Sequence, residues 1–219
     1  FRSVRFEVIN TAMAAINSHV VVPIARDCAR YEPDVFVVYL GNNEVTGPYG
    51  AGSVFAPLAG NLSVIRAAIA VKGTRLGQWM SNTLGSIRTG DGTPKMWRGL
   101  EMFVDKQVRA SDKGLQAVYR HFGRNLEDIV RGGRDSGAKV VLCTVASNLR
   151  DNPPFGSLHR EGLSEADLAR WEQTYREGVA EEEADRLAEA IESYLAAAEI
   201  DDSFADLQFR LGRCYERQG

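Results

Sequence analysis

Residues 35–50 read VFVVYLGNNEVTGPYG, and the break inside this stretch sets the terms for the fold. Val35 to Leu40 is an uninterrupted apolar run, the pattern of a strand covered on both faces in a parallel sheet. It stops at Gly41-Asn42-Asn43-Glu44, two carboxamides and a carboxylate, and a loop punctuated by Gly47, Pro48 and Gly50 follows. In α/β sheets ligands gather beyond the carboxyl ends of the strands, so these residues are the first place to look for chemistry. A turn with a helix cap is the plain structural alternative for the same four residues.

On both sides of this stretch the chain alternates. Arg5 to Asn10 (RFEVIN) reads as a short strand with a polar end, and Ser18 to Tyr31 as a helix with Val21, Ile24, Ala25 and Cys28 on one face. Ser111 is the expected N-cap of a long helix whose apolar stripe is Leu115, Val118, Tyr119, Phe122, Leu126, Ile129 and Val130. Gly132 and Gly133 let that helix stop, and Lys139 to Ala146 (KVVLCTVA) follows as a strand. Strand, helix, strand, helix, strand is the rhythm of a parallel sheet with right-handed crossovers. The fold class expected is therefore α/β, a flavodoxin-like parallel sheet sandwiched by helices. Its strand ends would carry Asn10-Thr11, Gly41 to Glu44 and Ser147-Asn148. Between strand and crossover helix, residues 45–110 hold a loop, helical stretches within Leu62 to Leu84 and a short helix within Pro94 to Arg109. Such an insertion serves either as a lid or as ordinary packing.

With 219 residues, 44% of them hydrophobic, the chain can bury a core as one domain or two. No run approaches the length of a membrane span, and the first ten residues read as a strand rather than a signal peptide. A chain beginning with Phe1 is expected to lack its native N-terminus. Charge divides the sequence: residues 1–159 hold 19 Lys/Arg against 13 Asp/Glu, residues 160–219 hold 7 against 16. Two units with those boundaries are expected. The basic half has no concentrated run with interleaved aromatics, so no nucleic-acid partner is read from it. Cys28, Cys143 and Cys214 are odd in number and set among apolar neighbours, which reads as buried thiols rather than a disulfide or metal site.

The strand followed by Gly41-Asn42-Asn43-Glu44 resembles the SGNH, or GDSL-type, hydrolase family, whose third motif block is a strand followed by Gly-x-Asn-Asp. The resemblance implies that Asn43 is the side-chain donor to the oxyanion, with Glu44 standing where Asp is usual. The family's second block, an Asn followed five residues later by a Gly with a donating N–H, falls on Asn10 and Ala15. Ala15 replaces that Gly, and its N–H keeps the role if φ stays negative. Two aimed donors stabilise charge that appears only in the transition state, about 3 kcal/mol for each. Asn10, Gly41, Asn42, Glu44 and His19 would line the site. The family's nucleophile block, Gly-Asp-Ser, is not found, and Ser3 has no Gly-Asp before it. The family's base is the His of Asp-x-x-His. None of His19, His121 and His159 has Asp three residues before it; Asp151 precedes His159 by eight. His19 otherwise reads as a partly exposed helix-end residue and His121 as a structural residue on the polar side of its helix.

Residues 171–219 resemble tetratricopeptide repeats, 34-residue helix pairs. Ala190, Tyr194 and Ala197 match the spacing of a second helix, and Leu211, Gly212 and Tyr215 match the L-G-x-x-Y of a following first helix. Gly178 lies 34 residues before Gly212. Ser164 is the expected N-cap of the first helix, with Asp167 in the capping-box position. α-Helical hairpins are thus expected after the sheet.

Together the resemblances imply an SGNH-type ester hydrolase or O-acyltransferase domain carrying a repeat that binds a protein. Its Ser and His would lie outside residues 1–219, so this stretch by itself would be inactive. An acyl-ester substrate, small molecule or glycan, is implied; no metal or organic cofactor is. A membrane tether would lie upstream of Phe1. The residues leave open a reading from another class: a non-catalytic scaffold with a degenerate hydrolase-like domain. Ala15 in place of Gly and the acidic repeat both suit that reading.

Overall fold

The computed structural model describes residues 5–53, 60–88 and 106–219. Among the described residues helix accounts for 55% and strand for 5%, which overturns the expected flavodoxin-like sheet sandwiched by helices. The chain divides into two compact units, Phe1–Val145 and Ala146–Gly219.

The first unit holds α1 (Ser18–Ala29), β1 (Val35–Tyr39), α2 (Leu62–Lys72), α3 (Arg75–Arg88), α4 (Lys113–Asp135) and β2 (Lys139–Cys143). β1 and β2 pair in parallel, Val35 opposite Lys139 and Tyr39 opposite Cys143, and they form the whole described sheet. Alternation along β1 sends Phe36 and Val38 toward α1 and α4, where they meet Val22 and Ile129 with Val140 of β2. Val37 and Tyr39 of β1 face the other way and stay 70% and 55% exposed. The apolar run therefore has cover on one face, where two were expected.

Arg5–Asn10 is the strand that fails to form. Phe6, Val8 and Ile9 are 75%, 87% and 73% exposed, and the segment joins no ladder. β-Propensity is realised only against a cross-strand neighbour and a buried face, and this segment has neither. β2 likewise ends at Cys143, three residues before the expected Ala146.

α4 differs from expectation at both ends and in its facing. Its N-cap is Asp112, whose side chain accepts from Gly114 N, rather than Ser111. It runs through Gly132 and Gly133 to Asp135. Gly133 is there for proximity, since a Cβ would stand 2.7 Å from both Phe36 and Val140. The buried stripe includes Val118, His121, Asn125 and Ile129, whereas Tyr119 is exposed. Most of the expected helix within Pro94–Arg109 lies outside the described residues.

The second unit is α5 (Glu165–Glu183), α6 (Leu187–Ile200) and α7 (Ala205–Gln218), each packed on the next. Ser164 caps α5, its Oγ accepting from Asp167 N at 3.1 Å and donating to the Asp167 carboxylate at 2.8 Å. Trp171, Ala190, Tyr194, Ala197, Leu207, Leu211 and Cys214 make the core. Gly178 lets α5 approach α6, because a Cβ would lie 2.7 Å from the Tyr194 ring; a Cβ on Gly212 would meet nothing within 4 Å.

Candidate functional site

The turn after β1 is held by its own backbone. Gly47 N donates to Asn43 O at 2.7 Å and Gly52 N to Val45 O at 2.9 Å. A Cβ on Gly47 would sit 2.5 Å from Asn43 O, and one on Gly50 2.2 Å from Val45 O, so both positions demand glycine. This winding turns Glu44 inward, where it is 7% exposed. Its Oε1 accepts from Ser18 N at 2.7 Å and its Oε2 from Ser18 Oγ at 2.6 Å. Asn17, the N-cap of α1, makes no side-chain capping bond. Glu44, 26 residues downstream of Ser18, supplies the missing acceptor and places negative charge at the positive end of the helix. Burial pushes the Glu44 carboxyl above its usual range, and the two bonds from Ser18 oppose that shift only in part.

Behind Glu44 a hydrogen-bonded chain runs into α4 and α2. Arg66 is a donor only, so the Asn125 atom 2.9 Å from its Nη2 is the carbonyl oxygen. Asn125 Nδ2 therefore faces Ser18 Oγ at 3.0 Å and His19 Nδ1 at 3.1 Å. Ser18 Oγ, accepting from Asn125, sends its own proton to Glu44. His19 Nδ1 is then a bare acceptor, and the proton of the neutral ring sits on Nε2. Burial is the main reason the His19 pKa falls to about 4, helped by His121 and Arg66. Burial also lowers His121, with the nearby charges of Arg120, Arg124 and Arg66. Arg66 is itself paired with Asp128 at 2.8 Å.

A cavity of about 380 Å³ runs along β1 and α1, from Phe36 and Cys28 to the residues that follow β1. Asn10, Gly41, Asn42 and Asn43 line it together with apolar residues of α1 and β1, including Ile24 and Val38. Asn43 Nδ2 donates to Ile16 O at 3.1 Å. Asn10 Oδ1 accepts from Ala12 N at 2.9 Å and so shapes the start of the same segment. Gly41 has φ +144°, and a Cβ there would stand 2.9 Å from Val145. Ala15 has φ +60°, in the left-handed region, whereas the role expected for its N–H assumed a negative φ.

Four of the seven expected residues thus share one cavity: Asn10, Gly41, Asn42 and Asn43. Ala15, Glu44 and His19 are not among its lining. Glu44 and His19 belong to the buried chain behind it, and His19 is 6% exposed, not partly exposed. Its Nε2 is protonated and its one lone pair, on Nδ1, is taken by the Asn125 N–H, so it offers the cavity no base. His159 takes its carboxylate from Asp201, Nδ1 to Oδ2 2.8 Å, while Asp151 binds Asn148. Ser3 lies outside the described residues. Among the described residues no three His, Cys, Asp or Glu side chains group as metal ligands. The three cysteines are free; Cys214 is buried, Cys28 and Cys143 partly so.

Ser18, Asn125 and Arg66 were not singled out in the sequence. The signal present for Asn125 was its place four residues after His121 and four before Ile129, on one helical face. Neither protein-family models, curated proteins nor solved structures show a match to this chain.

Proposed function

We propose that residues 10–16 and 41–44 form the oxyanion-holding side of an SGNH-type ester-processing site, hydrolase or O-acyltransferase, coupled to a tetratricopeptide-type segment that binds a protein. The convergence of Asn43 with the 10–16 segment carries this reading. The two stretches that the resemblance pairs, Asn10–Ala15 and Gly41–Glu44, meet through the bond from Asn43 to Ile16 O, 27 residues apart. That bond uses one of the two amide hydrogens of Asn43, and the other remains for the cavity that Asn43 lines. A donor held in place before the reaction is what stabilises developing charge. The nucleophile and its base come from outside residues 1–219. The sheet is not part of the support.

A fluorophosphonate probe applied to the protein at its full cellular length tests this. Covalent labelling of a serine outside residues 1–219, slowed by Asn43→Ala, is the expected result. A well-folded sample that takes no label replaces the reading with the non-catalytic scaffold.

A further inference from the structure

The chain Arg66–Asn125–Ser18–Glu44 has its donor direction forced from the arginine end, and His19 hangs on it through Asn125. An imidazolium carries N–H on both nitrogens, so a proton on His19 Nδ1 would oppose the Asn125 N–H 3.1 Å away. Turning the Asn125 carboxamide over would relieve that clash but set its NH2 against the Arg66 guanidinium, which has no lone pair. Asn125 is 1% exposed, so no reservoir of solvent stands by to take either group. We infer that this chain is a proton-operated latch: a proton gained at His19 Nδ1 expels the Asn125 carboxamide and releases the turn 43–53 from the start of α1. The inference does not depend on ester chemistry at the cavity.

Among the described residues, the surroundings of His19 favour the neutral ring. From the turn come Glu44 and the edge of Tyr49, ring centroid 6.0 Å away. From α4 come Asn125 and His121, the latter 5.8 Å away edge to face and itself beside Arg120 and Arg124. From α2 comes Arg66, with Lys72 over the Tyr49 ring at 5.9 Å. Asp128 is committed to Arg66, and both oxygens of Glu44 are committed to Ser18. Burial raises the Glu44 carboxyl against the two bonds from Ser18, and Glu44 still titrates in His19→Asn, so that variant separates the two groups.

Hydrogen exchange of the whole chain, corrected for intrinsic rates and compared at pH 7 and pH 4, tests the latch. The expected result is a loss of protection over 43–53 of at least about tenfold at pH 4, with α6 unchanged. His19→Asn keeps an acceptor where Nδ1 was but does not titrate, and in it the turn stays equally protected at both pH values. Equal protection of the wild-type turn at pH 7 and pH 4 overturns the inference, as does parallel loss in wild type and variant. Ring-nitrogen NMR of the wild type reads the same claim without any variant. A bare Nδ1 at pH 7 supports it, and an Nδ1-protonated neutral tautomer at pH 7 overturns it.

Discussion

The Asn43 carboxamide donates to the carbonyl oxygen of Ile16 across 3.1 Å, tying the end of β1 to the segment that leads into α1. Asn43→Ala removes that tie and the proposed oxyanion donor together. A part-buried hydrogen bond of this kind is worth about 1 kcal/mol, so the thermal transition shifts by a few degrees. If the proposed function holds, ester turnover by the full-length protein is expected to fall by roughly 100-fold or more with kcat carrying the loss. Undiminished turnover removes Asn43 from the mechanism.

Ala15 holds φ +60°, a conformation costing an L-residue roughly 1–2 kcal/mol that glycine adopts freely. Ala15→Gly relieves this, less the extra backbone entropy of glycine in the unfolded chain, about 0.5–1 kcal/mol. A net gain of about 0.5–1 kcal/mol is expected in urea unfolding followed by a probe in the first unit. A loss of stability would show that the left-handed backbone at Ala15 is not held in solution.

Gly132 and Gly133 are neighbours with opposite surroundings: a Cβ at 132 meets nothing within 4 Å, and one at 133 meets Phe36 and Val140 at 2.7 Å. Gly132→Ala is expected to stabilise α4 by up to about 1 kcal/mol through helix propensity. Gly133→Ala is expected to cost about 1–3 kcal/mol by forcing helix and sheet apart. Parallel thermal melts decide, and equal effects would contradict the close approach.

Gly178 and Gly212 make the same comparison in the second unit. Gly178→Ala drives a methyl group into the Tyr194 ring and is expected to cost about 1–3 kcal/mol, whereas Gly212→Ala meets no atom and is neutral or stabilising. Denaturant midpoints read by exchange within α6 give the answer.

Asp201 is buried and accepts from His159, Arg160 N and Ser203. Burial alone would raise its pKa, but the donors led by Ser203 outweigh it and hold the carboxyl down to about 2. The folded pKa lies below the unfolded value of 3.8, so the stabilisation is complete above pH 4 and disappears as pH falls toward 2. The shift corresponds to about 2 kcal/mol. Asp201→Asn is expected to lose that amount at pH 7 and to flatten the acid limb between pH 4 and 2 in the second unit; an unchanged acid limb would contradict it.

The second unit was legible because its determinants are local. Ser164 and Asp167 are three residues apart, and the spacing of Ala190, Tyr194 and Ala197 places all three on one helical face, where they are buried. In the first unit the β-branched runs at Val35 and Lys139 located both described strands, since strand propensity is also a short-range property. The glycine-rich turn after β1 was likewise legible from the order of Gly and Pro after an apolar run, whereas Asn10 was placed at the end of a strand that does not form. A third strand at Arg5–Asn10 was not decidable locally, because a strand exists only where another chain segment completes its hydrogen bonds and covers a face.

The buried chain shows the same division more sharply. Periodicity classed His121 with the polar side of α4 and left Asn125 unremarked, yet both lie inside, because Arg66, Ser18 and His19 arrive from α2 and α1 to satisfy Asn125. A polar side chain can be buried only when partners from elsewhere in the chain meet it at hydrogen-bond distance. The sequence by itself thus determined which segments are helical and where the two described strands lie. Tertiary structure alone decided how many strands pair, that Glu44 caps α1 from 26 residues away and that His19 is locked as a neutral acceptor. Those outcomes depend on contacts between distant residues, whose geometry no local pattern encodes.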